Sequence, residues 1–406
     1  MESLYLDKDR HIKYWKRCAQ LLPEPYTAGE SSRMSFGFFI VAALDLLGCL
    51  ETVITLAERH SWIEWIYACQ VPHTGGFRGF TGTALAGLRS PHNWHWDPAN
   101  LPNTYFALAT LLILGDDLAR VRRQECLAWV KQLQQPDGSF GELLGEGNQI
   151  QGGSDPRLCM CAVGTIRILM GKEGQGCSSG IDQLKLQQFL ANCQSQEGGI
   201  AQAPLLEAHS GLNYCAIATL SFLSQIHNEK PSIRELTAHT GLDIASCARW
   251  MLERQTTWIE DEDEDEEEDD EGQNATDAPI AKDQPLDEHS SRDTDLQELD
   301  AIAGFCGRSG KIADTCYCFW NVGALTILEK EHLVELDALR RYLLQKVAHI
   351  IGGFGKGPGA LPDLLHSYLG LAVLAVYKEP GLKELDATFC FSLDAVQNLK
   401  RVAWAR

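Results

Sequence analysis

The sequence predicts an all-α protein in which helical hairpins repeat and curve into a solenoid or close into a ring. Three observations carry this: one kind of turn recurs along the chain, a helix apolar on every side follows each turn, and strand patterns are few. The turns read QVPHTGGFRG, QQPDGSFGE, QSQEGGIAQ, LDAIAGFCGRSG and IIGGFGKG, with anchors at Phe77, Phe140, Ile200, Phe305 and Phe354. The anchors lie 63, 60, 105 and 49 residues apart. Removing about 40 residues, from Trp258 to near Asp300, brings the long spacing to the others.

The elements follow in order. Ile12–Leu22 and Arg33–Leu50 form the first expected helix pair. Five segments then read as buried inner helices: NTYFALATLLILGD, LCMCAVGTIRILMG, NYCAIATLSFLSQ, CYCFWNVGALTILEK and HSYLGLAVLAVYK. Apolar residues occupy nearly every position, which is the mark of a helix surrounded by others, and interspersed Ala and Gly allow close approach. Between them, LARVRRQECLAWVKQLQ and IDQLKLQQFLANCQ are amphipathic and suit an outer layer. We therefore expect a single domain over 1–406, interrupted at 257–296 by a disordered acidic insert.

Charge and composition narrow the function classes. The net charge is −20, and Glu260 to Glu271 is an unbroken run of twelve acidic residues, leaving −20 + 12 = −8 elsewhere. Such a chain is not expected to bind nucleic acid. The best apolar run, Phe36 to Leu50, contains Asp45 and falls short of the ~20 residues of a membrane span. The first residues are charged, as in LDKDRHIKYWKR, and read as no secretory signal; fourteen cysteines are then expected to be reduced, in the cytoplasm.

Two groups of residues could carry chemistry. Asp314 and Cys316 begin one inner helix and His366 begins the next. If inner helices run parallel around a ring, their N-termini share a rim, and the three side chains could hold one Zn²⁺ with a fourth position open. Spacing alone leaves the plainer reading open, with Asp314 a helix cap and Cys316 a packing residue. Arg308, Lys311, His209 and Arg157 fall near the same rim, where helix N-termini add positive potential, a setting suited to a diphosphate. Pairing with Asp155, Asp314 or Asp363 would also account for them.

These residues carry a resemblance. SSRMSFGFF (31–39), TYFALATLLILGDDLARV (104–121), LLEAHSGLNYCAIATL (205–220), GRSGKIADTCYCFW (307–320) and PDLLHSYLG (362–370) are similar to the β subunits of protein prenyltransferases, most of all geranylgeranyltransferase type I. The resemblance implies an α/α toroid, six hairpins of inner and outer helices around an apolar funnel. It implies Asp314, Cys316 and His366 as ligands of one zinc ion, and His209, Arg308, Lys311, Tyr317 and Lys356 as diphosphate-binding residues. Ser35, Phe39, Tyr105, Arg157, Cys161, Cys215 and Trp320 would line the isoprenoid pocket. Asn100, Pro102, Leu158 and Leu365 would contact the acceptor peptide.

Two positions bear on the subtype. Ser35 stands where farnesyltransferases resemble one another in a bulky Trp, and Lys356 where they carry a Mg²⁺-binding Asp, so a longer donor and no Mg²⁺ requirement are implied. Met160 replaces an aromatic residue, and Asn100 and Pro102 replace His and Ala. The implied reaction transfers geranylgeranyl from its diphosphate to the cysteine of Cys-a-a-Leu proteins, such as Rho-type small GTPases, together with an obligate α subunit. A farnesyltransferase β subunit, a non-catalytic helical scaffold and a terpene cyclase are the alternatives, with the Rab-specific enzyme fitting the segments around 104–121 and 205–220 less well.

Overall fold

In the computed structural model, residues 5–170, 180–227, 231–259 and 301–405 are described. Among them are twelve helices of six or more residues. The outer set is α1 (Lys8–Gln20), α3 (Leu56–Ala68), α5 (Arg123–Gln132), α7 (Gln183–Asn192), α9 (Ile244–Leu252) and α11 (Leu336–Arg341), the last continued by a π turn over Tyr342–Lys346. The inner set is α2 (Arg33–Leu46), α4 (Leu101–Ile113), α6 (Pro156–Met170), α8 (Ser210–Ile226), α10 (Thr315–Ile327) and α12 (Leu364–Val376). Each inner helix packs on the next in this order, and α12 packs back on α2, so the ring closes. Among the described residues, strand is confined to three two-residue pairs and a few isolated bridges. The expected all-α ring of inner and outer helices is the observed fold.

Helix ends depart from the expected ones for local reasons. α2 stops at Leu46 rather than Leu50, because Gly48 takes the left-handed conformation (φ 64°) that ends a helix. α5 begins at Arg123, not Leu118. Asp116 Oδ1 accepts the Leu118 N–H, and Leu118 itself sits at φ 58°, so this stretch is a turn.

The repeated turn works by a repeated hydrogen-bond plan. Its anchor pairs across an antiparallel bridge with a residue just before the turn: Gln70 with Phe77, Gln134 with Phe140, Gln194 with Ile200, Ala348 with Phe354. In the fourth repeat Gln255 pairs with Phe305, and Thr256 with Gly304. The acidic insert is therefore held inside a turn of the ordinary kind; its own residues 260–300, and with them the expectation of disorder, lie outside the described residues. All five anchors are fully buried, each contributing roughly 1.5–3 kcal/mol. The glutamine side chains clip the next outer helix at both backbone groups of one residue: Gln134 on Asp182, Gln194 on Asp243, Gln255 on Glu335, at 2.7–3.0 Å.

The same plan sets the rim. The residue two past an anchor gives its carbonyl to the first turn of the preceding inner helix: Gly79 to Met34, Glu142 to Leu101, Gly307 to Ser210 and Lys356 to Thr315. These bonds satisfy helix N–H groups that have no partner of their own. α6 opens with Pro156, which has no N–H to give. α12 closes the series differently, donating the Leu364 N–H to the Tyr26 hydroxyl at 2.8 Å. All six inner N-termini consequently face one end of the ring.

Candidate metal centre and its rim

At that end, Asp314 is the N-cap of α10, accepting the Cys316 N–H at 2.8 Å; Cys316 follows in the first turn. His366 lies in the first turn of α12, where Asp363 caps the helix and accepts the His366 N–H at 2.9 Å. One ligand atom from each of Asp314, Cys316 and His366 falls within 4.8 Å of the others. Fifty residues of sequence separate Cys316 from His366, and the ring brings them together. Nε2 of His366 is 3.2 Å from Asp314 Oδ1, and Nδ1 is 2.5 Å from Asp363 Oδ2.

The electrostatics test whether a cation suits this group. Burial pushes the Cys316 thiol far up, and the Asp314 carboxylate pushes it further. Burial by itself would lower the His366 pKa, but its hydrogen bonds to Asp314 and Asp363 outweigh it and raise the value to about 9. Burial would likewise raise Asp314, and the bonds from His366 and Cys316 hold it below its ordinary value. Left to themselves, two of the three groups keep their protons. A divalent cation inverts that logic, deprotonating a thiol outright. One sulfur, one imidazole and one carboxylate suit zinc, and three protein ligands leave a fourth tetrahedral position.

Beside this group, His209 caps α8. Its Nδ1 accepts the Gly211 N–H at 3.0 Å, which assigns the ring proton to Nε2. Burial, then Arg308 and Arg157, lower its pKa, so the imidazole is neutral. Nε2–H faces the Tyr317 hydroxyl at 3.3 Å and donates to it, leaving the phenol proton free to be given away. Gly307 makes room for this ring, since a Cβ there would meet Tyr317 at 2.2 Å. Arg308 is exposed and 3.3 Å from Glu207, while Lys311 and Lys356 are exposed at the same rim. The Lys356 carbonyl accepts both the N–H and the hydroxyl of Thr315, so this lysine is fixed against the first turn of α10.

The remaining sequence-nominated residues divide. Ser35 and Phe39 are half-buried one turn apart on α2, Trp320 is half-buried against Tyr214 at 5.1 Å, and Cys161 and Cys215 keep a little exposure on α6 and α8. Arg157 forms a two-point pair with Asp155, at 3.1 and 2.7 Å, which is the plain pairing that the sequence left open. Tyr105 is almost wholly buried, its hydroxyl donating to the Phe389 carbonyl at 2.9 Å. Asn100 caps α4 and bonds Glu142; Pro102 and Leu365 are half-buried, and Leu158 is buried. Sequence reading assigned Asp363 no part in holding His366. The available signal was a helix-capping Asp three residues before a histidine.

The prenyltransferase α/α toroid domain matches residues 6–391. The chain belongs to that family. Its relatives include the geranylgeranyl transferase type-1 β subunits of Arabidopsis thaliana (29% identical, covering 94% of this chain and 88% of the relative) and Dictyostelium discoideum (29%, 94% and 93%). The farnesyltransferase β subunit of Schizosaccharomyces pombe is 25% identical, over 92% and 80%. The fold matches the solved Candida albicans protein geranylgeranyltransferase-I complexed with GGPP, with a TM-score of 0.75 at 24% identity over 99% of this chain and 100% of that one. The chain is thus a prenyltransferase β subunit, with more likeness to the type I geranylgeranyl enzymes than to the farnesyl ones. No helix among the described residues is long and apolar enough to cross a membrane.

Proposed function

We propose that this chain is the catalytic β subunit of a cytoplasmic protein geranylgeranyltransferase type I. In this reading it moves geranylgeranyl from its diphosphate to the cysteine of a C-terminal Cys-a-a-Leu motif. The observation that carries the reading is the convergence of Asp314, Cys316 and His366 beside the His209–Tyr317 pair. Zn²⁺ held by those three side chains would supply Lewis-acid activation of an acceptor thiol.

The chain's other residues handle the donor. In the transfer a C–S bond forms at C1 of the prenyl group, and the bond from C1 to the diphosphate oxygen breaks. Negative charge grows on the departing oxygens. Tyr317, its oxygen held by His209, donates a hydrogen bond to them. Arg308, Lys311 and Lys356 answer the charge as cations already standing at the rim. Lys356 supplies as a point charge what a bound Mg²⁺ would otherwise supply, so the reaction runs without Mg²⁺. Ser35 leaves room in the funnel for a fourth isoprene unit, and Asn100, Pro102, Leu158 and Leu365 face the acceptor peptide. An α subunit completes the enzyme, and Rho-type small GTPases are the expected acceptors.

The test is transfer by the chain co-expressed with an α subunit. It is offered geranylgeranyl or farnesyl diphosphate and Cys-a-a-Leu or Cys-a-a-Ser peptides, zinc-replete, with and without Mg²⁺. Geranylgeranylation of the Leu peptide without Mg²⁺ is expected. Farnesyl transfer that depends on Mg²⁺ would overturn the subtype, and no transfer with zinc bound would overturn the catalytic reading.

A further inference from the structure

Arg308 and Lys311 sit on the loop 307–311, and the stretch of chain that leads into the acidic insert straps this loop down. The Arg254 carbonyl accepts the Cys306 N–H at 2.9 Å, and the Trp258 carbonyl accepts the Ala313 N–H at 2.9 Å. Between those two bonds, Gln255 and Thr256 pair with Phe305 and Gly304. Both ends of the loop are thus fixed by residues 254–258. Its middle is freer by composition. Gly307 and Gly310 flank Arg308 and Ser309, Gly310 takes the left-handed conformation (φ 65°), and residues 308–311 are exposed.

Among the described residues, two side-chain tethers reach that middle. One joins Arg308 to Glu207 at 3.3 Å; both side chains are largely in solvent, such a pair contributes little, and Arg308 has to leave it to meet an anion. The other runs through Ser309, whose hydroxyl accepts from Arg254 Nη1 and donates to Glu197 Oε2 at 3.5 Å. Arg254 is a firm post for it. The residue is 8% exposed, and its guanidinium lies over the Trp250 ring at 4.6 Å. The Trp250 indole N–H is held in turn by Glu197 at 3.3 Å. No close ion pair accounts for this arginine: its carboxylate neighbour is Glu253, exposed and 3.9 Å away. Its Nε is buried with no partner among the described residues. A buried guanidinium left partly unsatisfied costs stability, so core packing is not its reason to be there.

Resting on the diphosphate assignment above, we infer that Arg254, acting through Ser309, is a positioning residue that holds the loop 307–311 so that Arg308 and Lys311 stand at the rim before a prenyl diphosphate arrives. Two long side chains on a glycine-flanked loop would otherwise be ordered at the expense of donor binding. A hydrogen bond to the loop's own hydroxyl orders the backbone beneath them and leaves both cations free to turn to the ligand. Ser309 lies between the two in the chain, so one tether serves both.

The test uses the full chain with its α subunit, as wild type, Ser309→Ala, Ser309→Thr, Arg254→Met and the double variant Ser309→Ala with Arg254→Met. Binding of geranylgeranyl diphosphate and of geranylgeraniol, which has the lipid without the charge, is measured by displacement of a fluorescent prenyl analogue. Zinc content and transfer are measured separately. Ser309→Ala and Arg254→Met are each expected to weaken the diphosphate about fivefold or more, with geranylgeraniol, zinc content and the KM for the acceptor peptide within about twofold of wild type. Ser309→Thr keeps the hydroxyl and should bind as wild type does. The double variant should be no weaker than Arg254→Met, since the arginine acts through the serine. Diphosphate and alcohol weakened together would mean a disturbed funnel rather than a displaced loop, and would overturn the inference. So would Ser309→Ala within about twofold of wild type, or a double variant in which the two losses add. Ser309 is exposed, so Ser309→Ala decides the matter even if Arg254→Met does not fold. Wild type that binds the alcohol as tightly as the diphosphate overturns the diphosphate assignment and this inference with it. Wild type that selects the diphosphate but transfers nothing overturns the catalytic reading alone and leaves the loop readable from binding.

Discussion

Lowering the pH from 7 to 5 should weaken the fold through one residue, His11. It lies on α1, buried, with its ring stacked on Phe354 at 4.8 Å and its Nδ1 accepting the Gly353 N–H at 3.2 Å. It thereby ties the first outer helix to the turn that leads into α12 and His366. Burial lowers its pKa from 6.5 to about 4; Asp7 opposes the change and Arg10 assists it. The unfolded chain therefore binds a proton that the folded chain refuses between those two values. Stability is fully present above about pH 6.5 and is lost as pH falls toward 4. Each tenfold difference in proton affinity between the two states is worth roughly 1.4 kcal/mol, so the whole effect is about 3 kcal/mol. Between pH 7 and pH 5 the linkage relation gives about 2 kcal/mol of it. Urea unfolding of wild type and His11→Gln at both pH values isolates the contribution, because every other titrating group cancels in the difference. Wild type should lose about 2 kcal/mol more than the variant. Equal losses would refute the assignment of a neutral, buried imidazole at the seam.

Other expectations concern the rim and the funnel. Cys316→Ala should abolish both zinc content, read by atomic absorption, and transfer; full zinc occupancy in the variant would remove Cys316 from the ligand set. Gly307→Ala forces the Tyr317 ring off His209, and kcat should fall by about 10- to 100-fold with zinc retained. Lys356→Asp should make transfer respond to added Mg²⁺, seen as a rate titration absent from wild type. Ser35→Trp should shift kcat/KM toward farnesyl diphosphate, and an unchanged donor ratio would show that residue 35 does not shape the pocket. Excising 260–300 should leave transfer intact, because Thr256 and Gly304 are already paired at the base of the insert.

Much of the architecture was legible in the sequence because the repeat is written in side chains that do the same job each time. The buried anchors and the wholly apolar helices gave the hairpin count and the order of inner and outer layers. The shift of α5 from Leu118 to Arg123 was not legible, since an Asx turn and one left-handed leucine overrode a continuous helical pattern. Of the metal group, spacing alone offered candidates only, because closure of a ring is a property of all six hairpins together. Family resemblance was what singled out Asp314, Cys316 and His366. Resemblance could not show that Arg157 is already engaged by Asp155, that Tyr105 spends its hydroxyl on the chain's own backbone, or that Asp363 orients His366. Those facts depend on which neighbour each side chain meets.

The contact of α12 with α2 has a consequence for how the chain is made. Phe38 of α2 and Tyr368 of α12 are neighbours in the ring, yet a ribosome working at about 5–20 residues per second delivers them roughly a quarter of a minute to a minute apart. Throughout that interval one flank of α2, with Phe38 among its residues, has no final partner: Phe38 packs on Tyr368 at 5.6 Å, and Tyr368 emerges long after it. The earlier hairpins can stack as an open arc in the meantime, each satisfied by its neighbour. Synthesis halted before residue 364 would leave a nascent product lacking His366, the hairpin at 385–392 and the cover for α2 all at once. Such a fragment is a substrate for chaperones and proteases rather than a partial enzyme.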